Sequence, residues 1–287
     1  MKEPQKQKSV SDNSAEGNRG HIKELWLFFL IAIGWSWAFW LPEVFWGYRL
    51  YLGPFGPFVA AVILTLVNEK SSGLIELLKR GIKVRFGAIW YIPVLLLMPA
   101  IALVSYMMAT SVEGISPNLS VLSQPGLILS TFIYIFFLGG PLQEEFGWRG
   151  YALPRLQSRF SALKSSVLLG TVWALWHLPL NFMFDQAGLQ YEATLMMIAG
   201  SFFLMIFLSV IFTWIYNNTG GSIFAVLVLH TMTNLFTYVV FPVFETQIGP
   251  LFFSMMVLLT AVLLLIVFGP KKLMRSGSTA IPGSQLG

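Results

Sequence analysis

Eight runs of apolar residues divide this chain. They cover residues 25–46, 53–67, 88–110, 126–140, 162–182, 195–216, 223–240 and 250–268. A hydrocarbon core about 30 Å thick calls for about 20 apolar residues of α-helix. The second and fourth runs are short by that measure and are expected to extend into flanking polar residues. A segment in lipid must satisfy its own backbone hydrogen bonds, which makes helices of runs of this length. Composition agrees, with 56% hydrophobic and 11% charged residues and a mean hydropathy of +0.71. An ordinary soluble domain is about 25% charged, so there is too little charge here to clothe a water-facing globule. A soluble enzyme and a disordered protein are both excluded as first readings. The chain reads as an all-α polytopic membrane protein, a bundle of about eight transmembrane helices.

Charge placement tests the count. Lys and Arg close to span ends tend to stay on the cytoplasmic side. With the N-terminus inside, seventeen of the eighteen basic residues fall on one side, from Lys2 in the N-terminal tail to Arg275 near the C-terminus, and Arg49 alone falls outside. Seven spans would put the cluster Lys271, Lys272 and Arg275 on the wrong side. Eight spans with both termini cytoplasmic therefore fit, and the net charge of +5 is a topology signal, with no nucleic-acid partner implied. Localisation is integral to the membrane and multi-pass, in the cell membrane if the source is prokaryotic.

Residues 1–22 are polar and read as a solvated, disordered cytoplasmic tail. They do not form a signal peptide, because the apolar run that follows is too long and no A-x-A site ends it. Residues 23–270 read as a single transmembrane domain and 271–287 as a cytoplasmic tail. Pro42, Pro54, Pro57, Pro93, Pro99 and Pro179 lie in or near spans and are expected to shape the bundle.

Ionisable groups within a bilayer are costly, and each is a functional hypothesis. Three places hold them. Gln143-Glu144-Glu145-Phe-Gly-Trp-Arg149 follows the fourth run. On a helix Glu145 and Arg149 can pair at i,i+4, while Glu144, rotated by about 100°, is left free to face a cavity. Trp173-x-x-x-His177 lies in the fifth run, and His230-x-x-x-Asn234 in the seventh, each pair on one helix face. The aromatic residues around His177 are expected to serve packing or the interfacial belt. Each motif alone could be a cap, a core histidine or an interhelical hydrogen bond. Together they point to one shared polar cavity.

An acid and two imidazoles around a water describe peptide hydrolysis. Glu144 can act as general base, His177 can hold or share the proton, and His230 and Asn234 can donate to the oxyanion, a contribution often worth about 3 kcal/mol per donor. Elimination narrows the field. Aspartate occurs only at Asp12 and Asp185, so an aspartyl dyad within the spans cannot form. No H-E-x-x-H motif is present, because neither His177 nor His230 is followed by Glu. The absence of cysteine removes thiol catalysis. A Ser222–His230 dyad is disfavoured, since Ser222 sits beside Gly221 at the edge of a span.

The three motifs in this order resemble those of the CPBP family, the CAAX-protease and bacteriocin-processing intramembrane proteases, also called the ABI or type II CAAX-endopeptidase (Rce1-like) family. Trp214-Ile-Tyr-Asn-Asn-Thr-Gly-Gly-Ser222 resembles that family's lead-in to the third motif, and the likeness covers roughly residues 126–240. Trp173 stands where the family usually has Phe. The resemblance implies an eight-span helical fold with a cavity open to the cytoplasm and to lipid, Glu144 and His177 activating water, His230 and Asn234 binding the oxyanion, and Glu145 and Arg149 in support. The substrate it implies is a membrane-associated protein or peptide, prenylated and CAAX-type in eukaryotic relatives. The family is often labelled a metalloprotease, so Glu144, His177 and His230 could form a His₂Glu zinc site; glutamate catalysis without metal is preferred. The alternatives are a non-catalytic scaffold or bacteriocin self-immunity protein on the same fold and, further off, a proton-coupled transporter.

Overall fold

The computed structural model describes residues 5–48, 50–185 and 191–275, with side chains for 23–48, 50–182 and 195–275. Arg49 and residues 276–287 lie outside the described residues. Eleven α-helices make up the described fold: α1 Gln5–Trp46, α2 Gly56–Gly81, α3 Tyr91–Glu113, α4 Pro125–Leu138, α5 Pro141–Glu145, α6 Leu153–Gln157, α7 Ala162–Trp176, α8 Leu178–Asp185, α9 Tyr191–Asn218, α10 Ile223–Leu235 and α11 Gly249–Phe268. Strands are absent among the described residues. Pro57, Pro125, Pro141 and Pro250 each stand in a first helical turn, where the missing N–H has no intrahelical partner to lose.

Seven segments are long and apolar enough to cross a bilayer among the described residues. Two of them extend well beyond the apolar runs. The second covers Gly53–Gly81, and its helix direction breaks at Lys70 (φ 60°, ψ −159°). The fourth covers Pro125–Gln157, so the acidic motif lies inside this segment and not at its end. The fifth expected span is the short one. α7 stops at Trp176 and α8 begins at Leu178, because Pro179 lacks the N–H that a continuous helix needs and would press on the carbonyl four residues back.

One end of the bundle gathers the basic residues. Arg155 pairs with Glu24 at the start of the first span, at 3.5 Å. Arg80, at the end of α2, donates to the carbonyl of Gly150 at 2.8 Å and to the Tyr216 hydroxyl at 3.0 Å. Lys83 donates to the carbonyl of Gly220 at 2.7 Å. Residues 270–275 return to the same end, where Asn217 and Asn218 donate to the carbonyls of Lys272 and Leu273, at 2.7 and 2.8 Å. The Asn-Asn-Thr-Gly-Gly-Ser stretch thus closes this end. Gly220 and Gly221 turn the chain at positive φ, and Ser222 caps α10 by accepting from the N–H of Ala225.

Close approach of α7 and α9 depends on Gly170. A Cβ there would lie 2.6 Å from Cα of Ile206 and 3.0 Å from the carbonyl of Met205. Small residues at such crossings let membrane helices meet backbone to backbone. Gly170→Ala is expected to destabilise the protein by about 1–3 kcal/mol through overpacking. Gly200→Ala, whose Cβ would meet open space, is the matched control. Thermal unfolding in detergent should show a clear drop for the first and none for the second.

Candidate active site

The acidic motif begins at a break in the fourth span. Gly139 caps α4 and Gly140 turns at φ 111°, a conformation that only glycine adopts readily. A Cβ on Gly140 would also stand 2.8 Å from Oε1 of Glu144. Gln143 staples the break: its Oε1 accepts from the Gly140 N–H at 3.2 Å and its Nε2 donates to the Phe137 carbonyl at 2.8 Å. After α5 the chain widens into a π-helical turn, Phe146–Ala152, a form often found at functional sites.

Within this turn the expected pair forms. Arg149 Nη1 lies 3.0 Å from Glu145 Oε1, and both side chains are fully buried. The guanidinium sits over the rings of Trp173 and Phe212, at 4.7 and 4.8 Å from their centroids, contacts worth about 0.5–2 kcal/mol each. His230 Nδ1 reaches the same Oε1 at 2.8 Å. Two partners from two elements therefore engage Glu145.

Glu144 turns the other way, into a cavity of about 630 Å³ that His177, His230 and Asn234 also line. Glu144 and His230 are buried, while His177 and Asn234 are partly exposed. All four candidate residues thus meet one space, and Glu145 and Arg149 stand behind it. Trp173 connects them. Its Nε1–H donates to Glu144 Oε2 at 2.6 Å, and its ring lies 5.8 Å from the ring of His177 and 5.6 Å from that of His230. Trp176 packs edge-on against His177 at 4.5 Å and donates to Ser36 Oγ at 2.6 Å. The indoles expected to pack or form a belt are thus also hydrogen-bond donors within the site. Trp173 and Gly140 were not among the expected site residues. Their signals were an aromatic residue one turn before His177 and the Gly139-Gly140 pair before the acidic motif.

Hydrogen bonding distinguishes the two imidazoles. His177 Nδ1 lies 2.9 Å from the carbonyl of Trp173. A carbonyl only accepts, so Nδ1 carries the proton and Nε2 of the neutral ring is left as an acceptor. His230 Nδ1 faces a carboxylate oxygen, which when ionised also only accepts. Its Nδ1 is therefore the donor, and Nε2 is the nitrogen not engaged there.

The proposed His₂Glu ligands do not form a metal cluster. No group of three His, Cys, Asp or Glu side chains among the described residues is placed to hold an ion. Trp173 already occupies one oxygen of Glu144. Ser222 also takes a structural place, donating to the Lys83 carbonyl at 2.7 Å while it caps α10.

A family model described as "Type II CAAX prenyl endopeptidase Rce1-like" matches residues 126–236, the stretch that supplies Glu144, His177, His230 and Asn234. "CAAX prenyl protease 2" of Methanococcus maripaludis is 33% identical over 190 residues, which are 64% of this chain and 69% of that protein. The chain belongs to the Rce1-like family. It is an intramembrane endopeptidase, built as an all-α membrane bundle.

The charge cluster behind the cavity generates a stability prediction. Arg149→Met leaves Glu145 buried with one cation-capable partner fewer, and removing one member of a buried pair typically costs about 3–5 kcal/mol. Glu145→Gln/Arg149→Met, which removes both charges, should recover part of that loss. Unfolding midpoints of the single and double variants in one detergent check the order.

Proposed function

We propose that Glu144 and His177 activate a water for attack on a peptide bond, and that His230 and Asn234 bind the resulting oxyanion. The observation that carries this reading is the division of labour between adjacent carboxylates. Glu145 is engaged by Arg149 and His230, while Glu144 is held by Trp173 at one oxygen and lines the cavity. Glu144 takes a proton from water, the hydroxide bonds to the scissile carbonyl carbon, and the carbonyl oxygen becomes an oxyanion. The carbon–nitrogen bond then breaks, and the leaving nitrogen receives the proton that Glu144 took. The unprotonated Nε2 of His177 is suited to orient the water or share its proton. For Nε2 of His230 to donate while Nδ1–H points at Glu145, the ring must carry both protons, with Glu145 as its counter-ion. Asn234, one turn further along α10, supplies a neutral amide donor.

The substrate class we propose is a membrane-associated protein with a prenylated, CAAX-type C-terminus, on the strength of the relative named above. The basic end of the bundle is proposed as the cytoplasmic side, with both termini there and residues 23–270 forming the single transmembrane domain in the cell membrane. Grouping of the basic residues at that end supports this orientation.

Cleavage of a farnesylated CAAX peptide by the purified protein in proteoliposomes tests the assignment. Glu144→Gln and His177→Ala should each lower kcat by about 10²–10⁴-fold with unfolding midpoints close to wild type, and Asn234→Ala by about 10²-fold. Trp173→Phe keeps the ring but removes the N–H donor, and a loss of about tenfold or more is expected for a hydrogen bond to a charged group. Wild-type rates in both Glu144→Gln and His177→Ala would remove these residues from the mechanism. Zinc content and chelation address the other chemistry. Full activity in zinc-free protein supports the carboxylate step, and activity that is lost and then restored by zinc alone overturns it.

A further inference from the structure

A second cavity, of about 700 Å³, opens at the basic end of the bundle, away from the residues assigned to hydrolysis. Four cations line it: Lys79, Arg80, Lys83 and Arg155. Two carboxylates line it as well, and both are engaged. Glu69 takes a short contact from Arg155, which also pairs with Glu24, and Glu76 pairs with Lys79 at 3.6 Å. Arg80 and Lys83 have only neutral acceptors among the described residues, namely the Tyr216 hydroxyl and the carbonyls of Gly150 and Gly220. Two positive charges therefore face this space without a carboxylate.

The helix that carries Arg80 divides into three faces after its break at Lys70. Leu77 and Gly81 are buried, with Gly81 directly against the Phe146 ring. Gly73, Glu76 and Arg80 face the cavity. Ile75, Leu78 and Ile82 are exposed, Ile82 by 74%. A cationic recess thus lies beside an apolar ridge at one end of a membrane bundle, where headgroups and the first acyl carbons meet. We propose that this recess binds the phosphate diester of an anionic phospholipid, with Arg80 and Lys83 on the phosphate and Ile75, Leu78 and Ile82 along the acyl chains. A free phosphate would use the cations and leave the ridge without a partner. An acidic peptide would compete with Glu69 and Glu76.

Native mass spectrometry of the full chain in detergent, titrated with phosphatidylglycerol, tests the proposal. Saturable retention of phosphatidylglycerol is expected, with phosphatidylcholine retained far less. Lys83→Gln should weaken retention about fivefold, and Arg80→Gln/Lys83→Gln about thirtyfold. Because Arg80 also ties α2 to its neighbours, Ser158→Glu provides an independent variant. It adds a carboxylate to the lining, leaves the Arg80 and Lys83 bonds in place, and should abolish retention with an unchanged unfolding midpoint. Equal retention of phosphatidylcholine, or equal phosphatidylglycerol retention in wild type, Lys83→Gln and Ser158→Glu, overturns the proposal. So does displacement of phosphatidylglycerol by inorganic phosphate or a polyglutamate peptide at comparable concentration.

Discussion

The buried pair between Glu145 and Arg149 is what allows a second carboxylate to stand beside it. Two adjacent acids in a low-dielectric interior repel one another, and an ionised carboxylate without partners is too costly to keep there. Arg149 offsets one of the two charges, and its guanidinium rests on the neighbouring Trp173 and Phe212 rings. His230 shares the same carboxylate oxygen. One ion pair therefore neutralises an acid, orients an imidazole and fixes the position of the helix that carries Glu144. The π-helical turn brings Arg149 to Glu145 while Gly147 lets this turn touch the backbone of Pro57. Removal of the arginine affects all of these at once.

Three of the four residues assigned to chemistry lie at or near an irregularity in their helices. Glu144 follows the break at Gly140, His177 occupies the break between α7 and α8, and Asn234 precedes the π-helical turn Phe236–Val240. Irregular backbone at membrane depth is tolerated where it is covered by protein or lines a cavity, and these three places line the same one. At His177 the Trp173 carbonyl accepts the backbone N–H at 3.2 Å and also lies 2.9 Å from Nδ1, close enough to set the tautomer.

What was legible in the sequence follows the range of the forces involved. Apolar runs and basic clusters report burial in lipid and charge at its surface, so the helical membrane class could be read directly. The i,i+4 relation of Glu145 to Arg149 is local geometry, and it holds even though the turn between them is π and not α. The fourth run was expected to extend into polar residues, but its reach through the Glu-Glu-Arg motif as far as Gln157 was not legible. Window hydropathy counts each charge as a cost and cannot see that Arg149 cancels Glu145 within the same segment. The division of the fifth span was signalled by Pro179, but a proline alone does not distinguish a kink from a stop. The partner of Trp173 was out of reach too, since that hydrogen bond joins residues 29 positions apart.

Trp173 shows how a substitution of like for like in volume can alter chemistry. Phenylalanine at this position would preserve the wall between His177 and His230 and the cover over Arg149. It would not supply the N–H that holds Oε2 of Glu144. With Oε2 anchored and a glycine beside Oε1, the carboxylate has one oxygen fixed and the other next to the only residue type that leaves it room. A carboxylate free to rotate could turn toward Arg149 or His230, which carry the nearby positive or donor groups, and would then join the charge cluster in place of facing the cavity. The indole donor opposes that rotation at the point where the two acids must stay different.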